Sequence, residues 1–144
     1  MNLRNAEIYD VQSLVILCRQ LGYETSFEEI KFRLKEIESR LGHDILVVEN
    51  SDGVVVGWIQ VVEVVPLEST AYAEITGLVV DLHVRGSGIG KRLLTAAKSW
   101  ADSRNLDRVI LRSQIKRQRA HNFYEKNQFV KSKTSHMFEL VKNT

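Results

Sequence analysis

This sequence predicts a single α/β domain with a mixed, twisted sheet, and three observations lead there. Its 144 residues, 44% hydrophobic and 26% charged, suit one domain with a real core. β-Branched runs at 45–49, 54–65, 72–80 and 108–112 alternate with stretches whose apolar residues recur every three or four positions. The run 72–80 passes through a glycine-rich loop into a helical pattern and on to the short run 108–112, the order of a parallel βαβ unit.

In order, residues 2–8 read as a short strand. Asp10 stands where a cap would open a helix running to Gly22, with Val11, Leu14, Leu17, Cys18 and Leu21 on one face. A second helix opens at Ser26-Phe27-Glu28-Glu29, a capping box. Its stripe is Phe27, Ile30, Leu34, Ile37 and Leu41, and Gly42 stops it. Ile45–Glu49 and Val54–Val65 are strands joined by the turn Asn50-Ser51-Asp52-Gly53, and Pro66 ends the second. Tyr72–Val80 is a strand, and 89–104 is a helix burying Ile89, Leu93, Leu94, Ala97, Trp100 and Ala101. Arg108–Arg112 is a strand and Ala120–Lys126 a short helix. Phe129-Val130 opens a last hairpin whose second strand is His136–Val141. The expectation is about seven strands and about four helices, in one domain over 1–144.

The stretch Arg85-Gly86-Ser87-Gly88-Ile89-Gly90-Lys91 carries the chemistry. Glycines bring backbone N–H groups close to a ligand, and a helix start adds unpaired N–H groups and the positive end of a dipole. Together they favour an anion, usually phosphate. A dinucleotide fingerprint needs G-x-G-x-x-G, and here the third glycine comes one residue early. A P-loop needs a glycine where Arg85 stands and a hydroxyl where Arg92 stands. What fits is R-x-x-G-x-G.

Charge divides sharply along the chain. Residues 1–84 hold fourteen Asp/Glu against six Lys/Arg, and residues 85–144 hold four against fourteen, which leaves a net charge of +2. Such asymmetry fits two ligands of opposite sign, or a solvated basic face. The single cysteine, Cys18, lies on a helix face and excludes an internal disulfide framework, as in a reducing cytosol. No signal peptide and no membrane-length apolar run appear, so the expected location is cytoplasmic and no membrane partner is expected. The four histidines have no metal-ligand spacing, so no metal is expected.

The motif Arg85–Gly90 resembles the acyl-CoA signature of the GNAT superfamily of N-acetyltransferases, and the element order is similar over nearly the whole chain. Ile75-Thr76-Gly77-Leu78-Val79-Val80-Asp81 resembles that family's fourth strand. Arg119-Ala120-His121-Asn122-Phe123-Tyr124-Glu125-Lys126 resembles the segment in which an Asn touches CoA and a Tyr hydroxyl sits by its sulfur. Ser135-His136-Met137-Phe138-Glu139-Leu140 resembles the final strand. The resemblance implies a GNAT fold and acetyl-CoA as cosubstrate. It implies that Leu78, Val79, Val80, Arg85, Gly86, Ser87, Gly88, Ile89, Gly90, Lys91 and Asn122 bind the cofactor. It assigns Tyr124 as the acid that protonates the departing thiolate and the Val80 N–H as the oxyanion donor. Glu74, eleven residues before Arg85, matches a catalytic base; without a bulge it would share a face with Thr76, Leu78 and Val80. One or two of Lys116, Arg117 and Arg119 would meet the CoA 3′-phosphate. Two places depart from the family: Gln128-Phe129 replaces Gly-Phe or Gly-Tyr, and Ser113-Gln114 replaces Ser-Asn.

The implied reaction is acetyl transfer to a primary amine by direct transfer in a ternary complex, since Cys18 is on a core face and no Ser/His/Asp set is present. The acceptor would be a small-molecule or protein amine, and a cationic one if Glu24, Glu28 and Glu29 border its site. Those carboxylates equally suit the first turn of a helix. The competing reading is a non-catalytic acyl-CoA-binding regulatory module. A nucleic-acid binder is disfavoured because aromatics are not interleaved with the basic cluster. Many relatives pair through a sheet edge, so a homodimer is the assembly to look for.

Overall fold

The alternating runs form one five-stranded sheet in the order β1-β2-β3-β4-β5. The strands are β1 (Asn2–Asn5), β2 (His43–Glu49), β3 (Val55–Val64), β4 (Tyr72–Val80) and β5 (Val109–Leu111). The first three junctions are antiparallel and the β4–β5 junction is parallel. The helices are α1 (Val11–Gln20), α2 (Phe27–Glu38), α3 (Ile89–Ser103) and α4 (Gln118–Lys126). The computed structural model describes residues 1–113 and 116–142; Gln114, of the Ser113-Gln114 departure, lies outside the described residues. Met1–Arg112 form one compact unit and Ser113–Thr144 another, each described here by itself.

In the first unit the sheet is covered on both faces. Val11, Leu14, Val15 and Leu17 of α1 and Leu34 of α2 form one core with Val47, Val55 and Val79. On the other face α3 buries Ile89, Leu93, Leu94, Ala96, Ala97, Trp100 and Ala101. There Gly57 lets the helix approach: a Cβ on it would lie 3.0 Å from Ile89 and 3.1 Å from Leu93. Trp100 fixes the far end of α3 through Nε1–H to Asp44 Oδ2 at 2.7 Å. The Arg104 guanidinium stacks 4.4 Å from the Trp100 ring centroid.

Helix ends follow their sequences with two exceptions: Asp10 does not cap α1, and α2 ends at Glu38, short of the expected stop at Gly42. Ser26 Oγ accepts the Glu29 N–H at 3.1 Å, and Glu29 Oε1 accepts the Ser26 N–H at 2.9 Å, closing the start of α2. Asp10 was expected to cap α1, but its carboxylate turns back. It accepts the Glu7 N–H at 2.7 Å and both terminal nitrogens of Arg4 at 2.7 and 2.9 Å. A 3-10 turn at Ile8–Asp10 leads straight into α1 and uses its first amides, so the carboxylate is left for the cation. That turn also shortens β1. In α2, Phe27 is 43% exposed and Leu41 lies beyond the helix, fully exposed, so the working stripe is Ile30, Leu34 and Ile37.

In the second unit, α4 is followed by a tight turn in which Phe129 N–H donates to the Tyr124 carbonyl at 3.0 Å. The predicted final hairpin is absent: residues 129–142 contain no strand, which leaves five described strands where about seven were expected. Val130, Met137, Phe138, Leu140 and Val141 are all exposed. A hairpin gains stability only from cross-strand neighbours and a covered face, and this stretch has neither among the described residues.

Candidate active site

β4 carries the first half of the site. Its ladder with β5 covers only Ala73, Glu74 and Ile75, opposite Val109, Ile110 and Leu111. From Thr76 to Val80 the strand therefore has β3 on one side and no strand partner on the other among the described residues. Backbone groups alternate along a strand, so which ones face the open edge is a matter of register. The Ala73 N–H points toward β5, donating to the Arg108 carbonyl at 3.0 Å, whereas the Asp81 N–H points toward β3, donating to the Val56 carbonyl at 2.9 Å. Both residues are odd-numbered, so the alternation must slip between them. It slips at Thr76: Gln60 pairs with Gly77 and Val61 with Ile75, leaving Thr76 as the extra residue of a bulge. The peptide groups of Leu78 and Val80 thereby face the open edge, where the resemblance expects a cofactor's pantetheine arm.

The same bulge corrects the placement of Glu74. Val79 belongs to the α1/α2 core, and a Cβ on Gly77 would come 2.6 Å from the Trp58 ring on that same face. Glu74 is opposite Val62, which alternates with Trp58 and so shares its face. Leu78 and Val80, opposite Ile59 and Gly57, lie on the α3 face. Glu74 thus stands on the opposite face from Leu78 and Val80. Its carboxylate is half-buried and paired with Arg112 Nε at 3.6 Å. The sequence held a signal for the bulge, since an isolated glycine within a strand, here Gly77, often marks one.

The loop after β4 is shaped as an anion cradle. Asp81 Oδ1 caps a 3-10 turn at Leu82–Val84 by accepting the His83 N–H at 3.1 Å. Ser87 Oγ donates to the Val84 carbonyl and holds the loop closed from within. Gly86 and Gly88 have φ of +86° and +84°, a conformation that strains residues with a Cβ. No atom lies within 4 Å of where either Cβ would be, so the space in front of the backbone is open. Gly88 begins α3 without any side-chain cap, leaving first-turn N–H groups for a ligand. Arg85, Lys91 and Arg92 are exposed around it. The cradle, the bare helix start and the open β4 edge fit the phosphates and the arm of an acyl-CoA.

The second unit holds Tyr124, Asn122 and His121 on α4. The Tyr124 ring is half-buried against Phe123 and Phe129, with centroids 5.6 and 6.2 Å away. Burial pushes its phenol above the ordinary value, with Arg117 opposing weakly, so it stays protonated at neutral pH. Asn122 is exposed, its Oδ1 accepting from Gln118 Nε2 at 3.1 Å. His121 is half-buried, and Lys116, Arg117 and Arg119 are exposed. Gln128, where the family pattern has glycine, keeps the left-handed turn at φ +73°.

Two further expectations concern other groups. Cys18 is half-buried and its thiol is raised by burial, unlike an activated nucleophile. Of the three N-terminal carboxylates, Glu29 is engaged in the α2 cap, while Glu24 and Glu28 are exposed. Among the described residues no group of three His, Cys, Asp or Glu could hold a metal, and no helix is long and apolar enough to cross a membrane.

A strand paired with its parallel neighbour only at its beginning and continued by a glycine loop into a bare helix start defines an acyl-CoA-handling acetyltransferase fold. The chain belongs to the acetyltransferase (GNAT) family, which it matches over residues 8–129. Glucosamine-6-phosphate N-acetyltransferase from Arabidopsis thaliana is similar in structure, with TM-score 0.82, 26% identity and 98% of each chain covered. A Trypanosoma brucei acetyltransferase aligns with TM-score 0.79 and 26% identity over 96% of this chain and 99% of its own. An aminoglycoside 6′-N-acetyltransferase from Acinetobacter haemolyticus shares the fold at 16% identity, with TM-score 0.83 over 99% of this chain and 100% of its own. No curated protein sequence matches the chain. The family uses acetyl-CoA as its cosubstrate.

Proposed function

We propose that this protein moves the acetyl group of acetyl-CoA directly to a primary amine, within one domain that includes both units. The observation that carries this reading is the open β4 edge running into an uncapped α3. It offers backbone donors in a row that no strand ladder and no side-chain cap takes up among the described residues. Bound acetyl-CoA supplies the activated acyl group and a thiolate leaving group. The chain's residues then have three tasks. Amides of Gly86–Lys91 hold the pyrophosphate, with Arg85 and Lys91 beside them. The Val80 N–H, directed to the open edge, donates to the carbonyl oxygen as negative charge develops there. Tyr124, kept protonated by burial, gives a proton to the departing sulfur. Similarity at 26% identity to a glucosamine-6-phosphate N-acetyltransferase supports an amine as the acceptor.

Glu74 is retained as the base that takes the amine proton. It stands on the α1/α2 face, toward the helices that carry the exposed Glu24 in their loop and Glu28 in the first turn of α2, and this favours a cationic acceptor. Its ion pair with Arg112 is also what a purely structural carboxylate would make, so a kinetic test must decide.

The test is thiol release from acetyl-CoA across a panel of cationic, neutral and anionic amines. Turnover preferring a cationic amine is expected. CoA binding without turnover on any amine would favour the regulatory-module reading instead. With the preferred amine, Tyr124→Phe should lower kcat about ten- to a thousandfold with little change in acetyl-CoA affinity. Glu74→Gln should cost most at low pH, where the amine arrives charged. A pH–rate profile parallel to wild type would remove Glu74 from the mechanism.

A further inference from the structure

We propose that Gln20 is a positioning residue that holds the end of β4 in place for acetyl transfer. The proposal rests on the acetyl-transfer reading. Gln20 is the last residue of α1, half-buried, on a helix otherwise anchored by its apolar face. Its carboxamide crosses to the junction between β4 and the glycine loop. Gln20 Oε1 accepts the Leu82 N–H at 2.8 Å, and Nε2 donates to Asp81 Oδ1 at 3.1 Å. The same Asp81 oxygen accepts the His83 N–H at 3.1 Å, while the Asp81 backbone N–H bonds to Val56 at 2.9 Å. Asp81 and Leu82 are therefore gripped from β3 on one side and α1 on the other.

The location gives this grip its consequence. Among the described residues, β4 lacks over Thr76–Val80 the second ladder that would fix an interior strand, and a bulge at Thr76 shifts its register. α1 packs on Val79 through apolar side chains, and at the residue after Val80 it adds hydrogen bonds. One amide side chain thus replaces, at the end of the strand, part of the restraint that β5 supplies at its beginning. It also ties that point to the helix leading into the 22–25 loop. The His83 N–H chiefly, and the Gln20 amide after a smaller opposing effect of burial, hold the Asp81 carboxyl below its ordinary value. It is then an ionised acceptor at neutral pH. A glutamine is the residue suited to this task, because one group must donate to a carboxylate and accept from an amide at once. Misplacing a donor by about 1 Å can cost on the order of a hundredfold in rate.

The experiment compares Gln20→Ala, Gln20→Glu and the double variant Gln20→Glu/Asp81→Asn with wild type. The readouts are kcat, KM for acetyl-CoA, and amide hydrogen exchange over residues 80–84. Gln20→Ala should lose about ten- to a hundredfold in kcat, with KM for acetyl-CoA within about threefold and faster exchange at 80–84. Gln20→Glu should lose at least as much, since it sets two carboxylates face to face. The double variant removes the facing charges and, with the new side-chain amide turned so that its oxygen keeps the His83 N–H and its nitrogen donates to the new carboxylate, should recover part of the loss in both kcat and exchange. If Gln20→Ala fails to fold, Gln20→Met, which keeps the length without the bonds, is read in its place. A kcat within twofold of wild type, a loss without altered exchange at 80–84, or a double variant no better than Gln20→Glu would each overturn the proposal. Absence of thiol release by wild type with every amine would sink the acetyl-transfer reading instead. Exchange would then decide the Gln20 contact alone, and unchanged exchange in Gln20→Ala would overturn it.

Discussion

The starts of α2 and α3 are built from opposite choices. At α2, Ser26 and Glu29 exchange hydrogen bonds with each other's backbone N–H groups, and the helix end is complete without help. At α3, Gly88 sits in a left-handed conformation with no side-chain cap and open space in front of it. A Ser, Asp or Asn cap in the extended conformation that Ser26 has is typically worth about 1 kcal/mol, and the left-handed start of α3 forgoes it. The end without a cap is the one that follows β4, whose ladder with β5 stops at Ile75. The difference teaches that an anion-binding helix start is recognised by what its sequence leaves out as much as by its glycines.

Giving the α3 end an acid of its own should break the difference most visibly. In Gly88→Asp the carboxylate would stand in the cradle, and Asp tolerates the left-handed conformation better than most residues. Acetyl-CoA affinity should fall about a hundredfold or more by calorimetry, roughly 3 kcal/mol, with the protein still folded. Ser26→Ala, the matching lesion at α2, should lower stability by about 1 kcal/mol in urea unfolding and leave that affinity unchanged.

The start of α1 sharpens the same point through pH. The Asp10 carboxyl is pushed up by burial, but Arg4 and the Glu7 N–H together outweigh this and hold it below the ordinary value. Glu49, held by Asn2 and Arg4, is lowered too. A lowered carboxyl contributes stability above its unfolded value, and that contribution is lost as pH falls through the folded one. Wild type should therefore lose stability below about pH 4, and Asp10→Asn should flatten that acid limb while being less stable at pH 7. An unchanged acid limb would show that the Arg4 contact does not bear on folding.

The smallest effect is expected where α4 ends. Gln128 holds at φ +73° the turn for which the family pattern has glycine. Gln128→Gly should relieve the strain and raise stability by about 0.5–1 kcal/mol in urea unfolding. A loss would mean that the glutamine side chain makes up for its backbone.

Most of these elements were legible because they depend on neighbours in sequence. The stripe Ile89, Leu93, Leu94, Ala97, Trp100, Ala101 repeats at helical spacing and is buried as that spacing requires. The S-x-x-E box needs only four residues to be read. The glycine loop was legible for the same reason. Thr76 was not, because a bulge is a property of two strands and only their register shows which residue is extra. That one residue carried Glu74 to the opposite face, although Gly77 gave a hint of it. Asp10 was misread because its partner Arg4 competes with the helix for the same carboxylate. Gln20 offers no pattern at all, since its partners are 61 and 62 residues away. The final hairpin failed because apolar content within 129–142 does not by itself supply a ladder partner.

The direct test of the account is an amide NMR titration with acetyl-CoA. The backbone signals of Leu78, Val80 and Gly86 through Lys91 should move on binding, and those of Phe27 to Glu29 at the capped start of α2 should not. Saturable binding that leaves Val80 and the 86–91 amides unmoved, or that moves the α2 start in their place, would contradict it.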